Sequence, residues 1–383
     1  MQSAQEARKS LAKARRVVIK VGTRLVTTVD GRPDDAFLEG LGGQVAALRG
    51  RGLDVMVVTS GAVHLGRRLL DHRGGGTVRM RQAMAALGQP ELMRGYITAL
   101  SRHGLLAAQL LLTAEDLISR ERYLNARNTL ETLLREGAVP VINENDSVSI
   151  DGVTVTFGEN DRLAALVAVT VRADAAVYLS DQRGLLARDP RFDPDAALVP
   201  VVRPEDNVCD LAGEAGGPES AGGMAKKIDA ARLASSCGVV VVIADGREEN
   251  TVLRVLEGEE LGTIFIPSPA MEARKAWMAT TAQPAGEIVV DDGAREALLD
   301  PDGASLLPVG ITDVRGDFRR GDLVLLHGPD GQEIARGLSN YDAEDLRKIM
   351  GHRTRDIERL LGRRGDDAAI HRDYLVVTAG THR

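Results

Sequence analysis

The chain has 383 residues, enough for two domains, with 44% hydrophobic and 27% charged residues, the balance of a globular protein that buries a core. A net charge of −7 argues against nucleic acid or an anionic membrane as the main partner, since both favour a basic surface. Only 3% of residues are aromatic, so the core must be built from Val, Leu, Ile and Ala, which suits buried parallel strands covered by helices.

The first residues, Met1 to Arg16, are polar and helix-prone, unlike a secretory signal. Six short apolar runs then read as buried strands: Val17–Val21, Val55–Thr59, Leu105–Leu112, Ala138–Asn143, Ala175–Leu179 and Val239–Ala244. Segments with helical spacing lie between them: Asp35–Leu48, Arg79–Leu100, Arg122–Arg135, Asp161–Val171 and Met224–Ser235. Alternating strands and helices predict βαβ units, a mostly parallel sheet, and ligands bound beyond the C-terminal strand ends. No aliphatic run is long enough to span a bilayer. Cys209 and Cys237 form no CxxC or Cys/His cluster, so a reducing, cytoplasmic setting is expected, without disulfide or structural zinc.

The strand ends carry the polar motifs. Lys20 lies inside the first strand, followed by Gly22 and Thr23; its ammonium either meets an anion or snorkels to solvent. Ser60 and Gly61 close the second strand, and Gly61 opens a helix; the pair either faces a ligand or caps that helix. Asn143, Glu144, Asn145 and Asp146 gather four polar side chains at one strand end, suited to an ammonium and a carboxylate. Asn160 and Asp161 head the next helix. Ser180 and Asp181 close a further strand, where they could hold a ribose or a metal-bound phosphate, and the turn "ARDP" follows as a possible border for adenine. Gly222 and Gly223 precede a helix expected to start near Met224, with Lys226 and Lys227 in its first turn. A glycine pair, a helix N-terminus and an ammonium together make a phosphate site, although no GxxxxGK[ST] occurs.

Beyond Ile266 the pattern changes. Residues 267–284 contain three prolines and the only tryptophan and read as a linker. Residues 285–365 read as a small β-rich domain with one or two helices, and 366–383 as a tail.

Taken together, "KVGT" at Lys20, "VVTSGAV" at Val57, "QAMAALGQPELM" at Gln82, "RERYLNARNTL" at Arg120, "VPVINENDSV" at Val139, "GENDRLAALVA" at Gly158, "SDQRGL" at Ser180 and "GGMAKKIDAA" at Gly222 resemble, in this order, the glutamate 5-kinases of the amino acid kinase family. The C-terminal segment resembles a PUA domain. The resemblance implies a three-layer αβα kinase domain over residues 1–266 and ATP-dependent phosphorylation of the glutamate side chain, the first step of proline synthesis. By motif position it implies catalytic roles for Lys20, Lys227 and Asp161, with Asp161 holding the two ammonium groups. Ser60, Asp146 and Asn160 would bind glutamate. Lys20, Ser180, Asp181 and the stretch Ala221, Gly222, Gly223, Met224, Ala225, Lys226 and Lys227 would bind ATP. It further implies magnesium, a homo-oligomer and inhibition by proline. Two positions depart from the family pattern: Ala221 stands where a threonine is usual, and Arg24 where a small residue is usual.

Two other readings compete. One is a sister kinase of the same fold acting on N-acetylglutamate, aspartate or a nucleotide. The other is an RNA-binding protein, since PUA domains often bind RNA. Against the latter, Gly286 to Arg364 holds sixteen Asp and Glu but twelve Arg and Lys, a poor footprint for a phosphate backbone.

Overall fold

The structure, a computed structural model, describes residues 3–71, 77–118, 120–148, 159–188, 192–193, 195–206, 208, 221–268, 284–300, 303–363 and 365–378. The chain divides into two compact units: Met1–Leu117 with Glu121–Ala270, and Met271–Arg383 counted together with Ile118–Arg120. Residues 269–283, most of the expected linker, lie outside the described residues, as do Cys209, the end of the "ARDP" turn and residues 379–383 of the expected tail. Cys237 is buried.

The first unit runs α1 (Ala4–Leu11), β1 (Arg16–Val21), α2 (Thr23–Val26), α3 (Asp35–Gly50), β2 (Asp54–Val58), α4 (Ala62–Leu69), α5 (Val78–Ser101), β3 (Ala107–Leu112), α6 (Ala114–Ile118), α7 (Arg120–Arg135), β4 (Val139–Glu144), α8 (Glu159–Thr170), β5 (Ala175–Ser180), β6 (Val201–Val202), α9 (Ala221–Ser236), β7 (Val240–Asp245), α10 (Thr251–Leu256) and β8 (Thr263–Phe265). Its eight described strands form one sheet in the order β3-β4-β2-β1-β5-β7-β8-β6. Every neighbouring pair is parallel except β7 and β8.

Side-chain alternation along the strands divides the core in two. Val17, Ile19 and Val21 of β1 join Val55, Val57, Val177 and Val242 on one face, covered by α1, α3, α5 and α10. Val18 joins Met56, Val58, Tyr178 and Ile243 on the other, covered by α7, α8 and α9. The result is a three-layer αβα sandwich. Each fully buried Val or Ile contributes roughly 1.5–3 kcal/mol, so a one-residue slip of β1 is strongly disfavoured. The same parity puts Lys20 on the face of α8 and α9.

Two helices on the first face touch at glycine. A Cβ on Gly66 of α4 would lie 1.8 Å from the Met84 carbonyl oxygen of α5, and one on Gly88 of α5 would lie 1.9 Å from the Ala62 carbonyl oxygen. Only hydrogen fits at this crossing.

α9 begins at Ala221, three residues before the expected start at Met224. Lys226 and Lys227 therefore stand in its second turn rather than its first. Glycine costs a helix about 1 kcal/mol per residue, but Ile228, Ala231 and Ala234 packing against the sheet face outweigh that at Gly222 and Gly223.

The second unit contains β9 (Gly286–Val290), α11 (Asp292–Leu299), β10 (Ile311–Gly316), β11 (Leu323–His327), β12 (Glu333–Leu338), α12 (Ala343–Ile349), α13 (Ile357–Leu361) and β13 (Leu375–Val377). Among its described residues it has three α-helices, where one or two were expected. Its sheet has the order β10-β9-β11-β12-β13, antiparallel apart from β9 and β11. Ile288, Phe318, Tyr341 and Ile349 lie in its own core. Among the described residues no helix is long and apolar enough to cross a membrane.

Candidate active site

Parallel strands send their C-terminal ends to one edge of the sheet. Along that edge the strand order is β4, β2, β1, β5, β7. The chain builds β2, β3 and β4 on one side of β1, then crosses through α8 to build β5 and β7 on the other. β1 thus stands at the topological switch point, where sheets of this kind bind ligands.

Lys20, one residue from the end of β1, is 4% exposed. Its Nζ lies 2.5 Å from Oδ1 of Asp161, in the first turn of α8. The other carboxylate oxygen, Oδ2, lies 3.2 Å from Lys227 Nζ, which arrives from α9. Lys227 Nζ also donates to the Gly223 carbonyl at 3.3 Å. Asp161 is 1% exposed, and its own carbonyl accepts from the buried Tyr178 hydroxyl at 3.0 Å. The three charges come from one strand and two helices of the same layer. Burial, and to a lesser degree the charge of Lys227, lowers the Lys20 pKa against the pull of Asp161. Burial alone would raise the Asp161 pKa, but Lys20 and then Lys227 outweigh it and hold the carboxyl below its usual range.

One side of this triangle is rich in amide and hydroxyl groups. Thr59 follows β2, is fully buried, and accepts a hydrogen bond from Tyr96 Oη at 2.9 Å. Ser60 is half-buried beside it, and Gly61 has φ 115°, a left-handed value that favours glycine. At the end of β4, Asn143 donates through Nδ2 to Gln89 Oε1 at 2.8 Å, while its buried Oδ1 has no partner among the described residues. A buried acceptor without a partner is costly and marks a place for a donor. Asn160 Oδ1 accepts from the Glu144 amide at 3.1 Å, so Asn160 ties α8 to the end of β4. Asp146 is half-buried; burial raises its pKa, and the charge of Arg81 only partly opposes this.

The other side carries Ser180 and Asp181 at the end of β5. The Ser180 hydroxyl donates to Asp181 Oδ1 at 3.4 Å, and Arg24 Nη1 lies 2.9 Å from Asp181 Oδ2. Burial alone would raise the Asp181 pKa, but Arg24, with a smaller contribution from Arg247, holds it down. Arg24 therefore bridges the ends of β1 and β5. The backbone of Ala221, Gly222 and Gly223 opens α9, whose first amides have no partner within the helix and carry its positive dipole end. Met224 and Ala225 pack against the apolar core, and Lys226 is half-buried.

Lys20, Asp161 and Lys227 thus meet in one cluster, with Ser60 and the Asn143–Asp146 stretch to one side and Ser180 and Asp181 to the other. Tyr96 and the open oxygen of Asn143 carried no sequence signal, and the quoted motif at Gln82 did not single out Gln89, because their meaning lies in contacts between distant segments. A buried and a half-buried ammonium at a switch point, beside a helix N-terminus, have the chemistry to receive a polyanion, on an αβα fold of the kind that carries phosphoryl transfer.

The profile of the amino acid kinase family matches residues 15–245, and that of the PUA domain matches residues 286–361. The glutamate 5-kinase of Trichlorobacter lovleyi is 46% identical over 370 residues, covering 96% of this chain and 98% of the relative. That of Azoarcus sp. is 47% identical over 373 residues, covering 97% and 100%. That of Geobacter sp. is 46% identical over 372 residues, covering 96% and 98%. The chain belongs to the amino acid kinase family, within its glutamate 5-kinase branch, and carries a PUA domain.

Proposed function

We propose that this site transfers the γ-phosphoryl group of ATP to the side-chain carboxylate of L-glutamate, giving L-glutamyl 5-phosphate and ADP, the opening step of proline synthesis. The observation that carries the reading is the strand order. It sets amide and hydroxyl groups on one side of the Lys20–Lys227 pair and a helix N-terminus with a second polar strand end on the other. Two ligands can therefore approach the pair from opposite sides.

The acceptor needs no base. A glutamate side chain has a reference pKa near 4.3 and is already ionised at neutral pH. A carboxylate oxygen forms a bond to the γ-phosphorus as the bond to the bridging oxygen breaks, and the electron pair leaves with ADP. The obstacle is bringing an anion to a polyanion, so positioning and charge stabilisation do the catalysis. Lys20 and Lys227 carry the positive charge on the transferred group. At an effective dielectric near 20, an ammonium about 4 Å from a phosphate oxygen contributes on the order of 4 kcal/mol before desolvation. Asp161 holds both ammonium groups at fixed separation and partly offsets the lowering of the Lys20 pKa by burial. Ser60, Asp146 and Asn160 bind glutamate, and the unpartnered Asn143 Oδ1 suits its α-ammonium. Ser180, Asp181 and the stretch Ala221–Lys227 bind the nucleotide. ATP would bring magnesium, which would supply charge to offset the phosphates during transfer, and Ser180 and Asp181 are placed to hold the metal-bound phosphate.

Proline shares the α-carboxylate and ammonium of glutamate, so its inhibition is read as competition on the acceptor side. A homo-oligomer and a cytoplasmic location complete the reading and are supported by family membership. The test is ADP release by the full chain with L-glutamate, N-acetylglutamate, L-aspartate and UMP, each with and without proline, while hydroxylamine traps the acyl phosphate. Glutamate alone should give turnover and a hydroxamate. Faster turnover with another acceptor would replace the assignment.

A further inference from the structure

The glutamate side of the site rests on one helix. α5 reaches its two strand-end loops from beneath at three points. Gly88 abuts the Ala62 carbonyl, Gln89 accepts from Asn143, and Tyr96 donates to Thr59. The third contact continues: Thr59 Oγ1 donates to the Ser60 carbonyl oxygen at 3.2 Å. Tyr96 and Thr59 are 2% and 0% exposed, and burial raises the tyrosine pKa far above its ordinary value. The phenol is a neutral donor at any working pH.

The next residue makes this chain of hydroxyls consequential. Gly61 sits at φ 115°, and glycine leaves the peptide between Ser60 and Gly61 with wide rotational freedom. In a trans peptide the C=O and N–H bonds point in opposite directions. A Ser60 carbonyl held by the buried Thr59 hydroxyl therefore turns the Gly61 N–H the other way.

We propose that Tyr96 is a positioning residue for the amino-acid substrate: acting through Thr59, it fixes the Ser60–Gly61 peptide so that the Gly61 N–H and the Ser60 hydroxyl receive a substrate carboxylate. Tyr96 itself touches no substrate. The inference rests on the glutamate-kinase reading and adds to it a contact three residues deep.

Steady-state kinetics of the full chain test it, with Tyr96→Phe, Thr59→Val, the double variant and Thr59→Ser. Loss of one such hydrogen bond corresponds to roughly a 3–10-fold rise in glutamate KM for Tyr96→Phe and for Thr59→Val. The ATP KM and kcat should stay within about twofold. Thr59→Ser keeps the hydroxyl and should restore a near wild-type glutamate KM. The double variant should be no worse than Thr59→Val alone, because both break one chain. An unchanged glutamate KM in Tyr96→Phe, a parallel rise in both KM values, or additive losses would overturn the proposal. If Thr59→Val does not fold, Tyr96→Phe and Thr59→Ser still decide. Wild-type protein without glutamate-dependent turnover would sink the functional reading, whereas normal wild-type turnover with an unaltered variant KM sinks only the relay.

Discussion

Lys20 lives under opposed forces: burial favours its neutral form, and Asp161 at 2.5 Å favours the ammonium. Lys20→Ala or Lys227→Ala should lower kcat by roughly 10²–10³ with a smaller change in glutamate KM, in the same ADP-release assay. Lys226→Ala should do less than Lys227→Ala, since Lys227 is the one that reaches Asp161. Asp161→Asn is the harsher change. It strands two ammonium groups without a counter-charge and should cost about 3–5 kcal/mol at neutral pH. It also brings a pH signature. The folded-state pKa of Asp161 lies below its ordinary value, so its contribution is complete above about pH 4 and fades as the pH falls through the folded value. Denaturation midpoints followed downward from pH 5 should therefore fall more steeply for the wild type than for Asp161→Asn. Equal slopes would mean that the carboxylate gains nothing from its partners.

Among the elements, the α4–α5 crossing has the least room. Gly88→Ala would drive a methyl into the Ala62 carbonyl, one residue from the proposed substrate loop. Overpacking of this kind costs about 1–3 kcal/mol, and more where backbone must move. A lower melting temperature together with a higher glutamate KM is expected, and a variant with neither would show that the helices separate freely. The crossing was not legible in the sequence, because a glycine inside a helical pattern does not reveal which helix it meets. The six principal strands were legible within a residue or two, since each is an apolar run between helical segments. The short strands β6 and β8 were not, because two or three residues carry no periodicity, and neither was the antiparallel turn of β8 against β7. At the site, "KVGT", "GENDRL" and "GGMAKK" pointed to Lys20, Asp161 and Lys227 one motif at a time. Their meeting around one carboxylate depends on separations of 141 and 66 residues that only the sheet order closes. The pairing of Arg24 with Asp181 is the same kind of fact.

At the scale of the molecule, every residue proposed for chemistry lies in the first unit, which has two cores of its own, while the second has a separate core. A chain ended after Ala270 should fold and retain glutamate-dependent ADP release within about tenfold of the full chain. Complete loss in a folded truncation would give the second unit a part in catalysis. The acidic balance of that unit also leads us to expect no salt-dependent binding to structured RNA at micromolar concentration.

The burial of the Lys20–Asp161–Lys227 triangle bears on how the protein meets ordinary salt. Exposed charges fade within a Debye length of about 8 Å at physiological ionic strength, but buried pairs are screened much less. Raising ionic strength with a bulky, excluded salt should leave turnover almost unchanged. A small planar anion is another matter. Nitrate has the flat, three-oxygen shape of a phosphoryl group in mid-transfer. Seated between the two ammonium groups with ADP and glutamate in place, it should trap a dead-end complex. Inhibition by nitrate that deepens with both ADP and glutamate, and that chloride does not reproduce, would read out the spacing that Asp161 maintains.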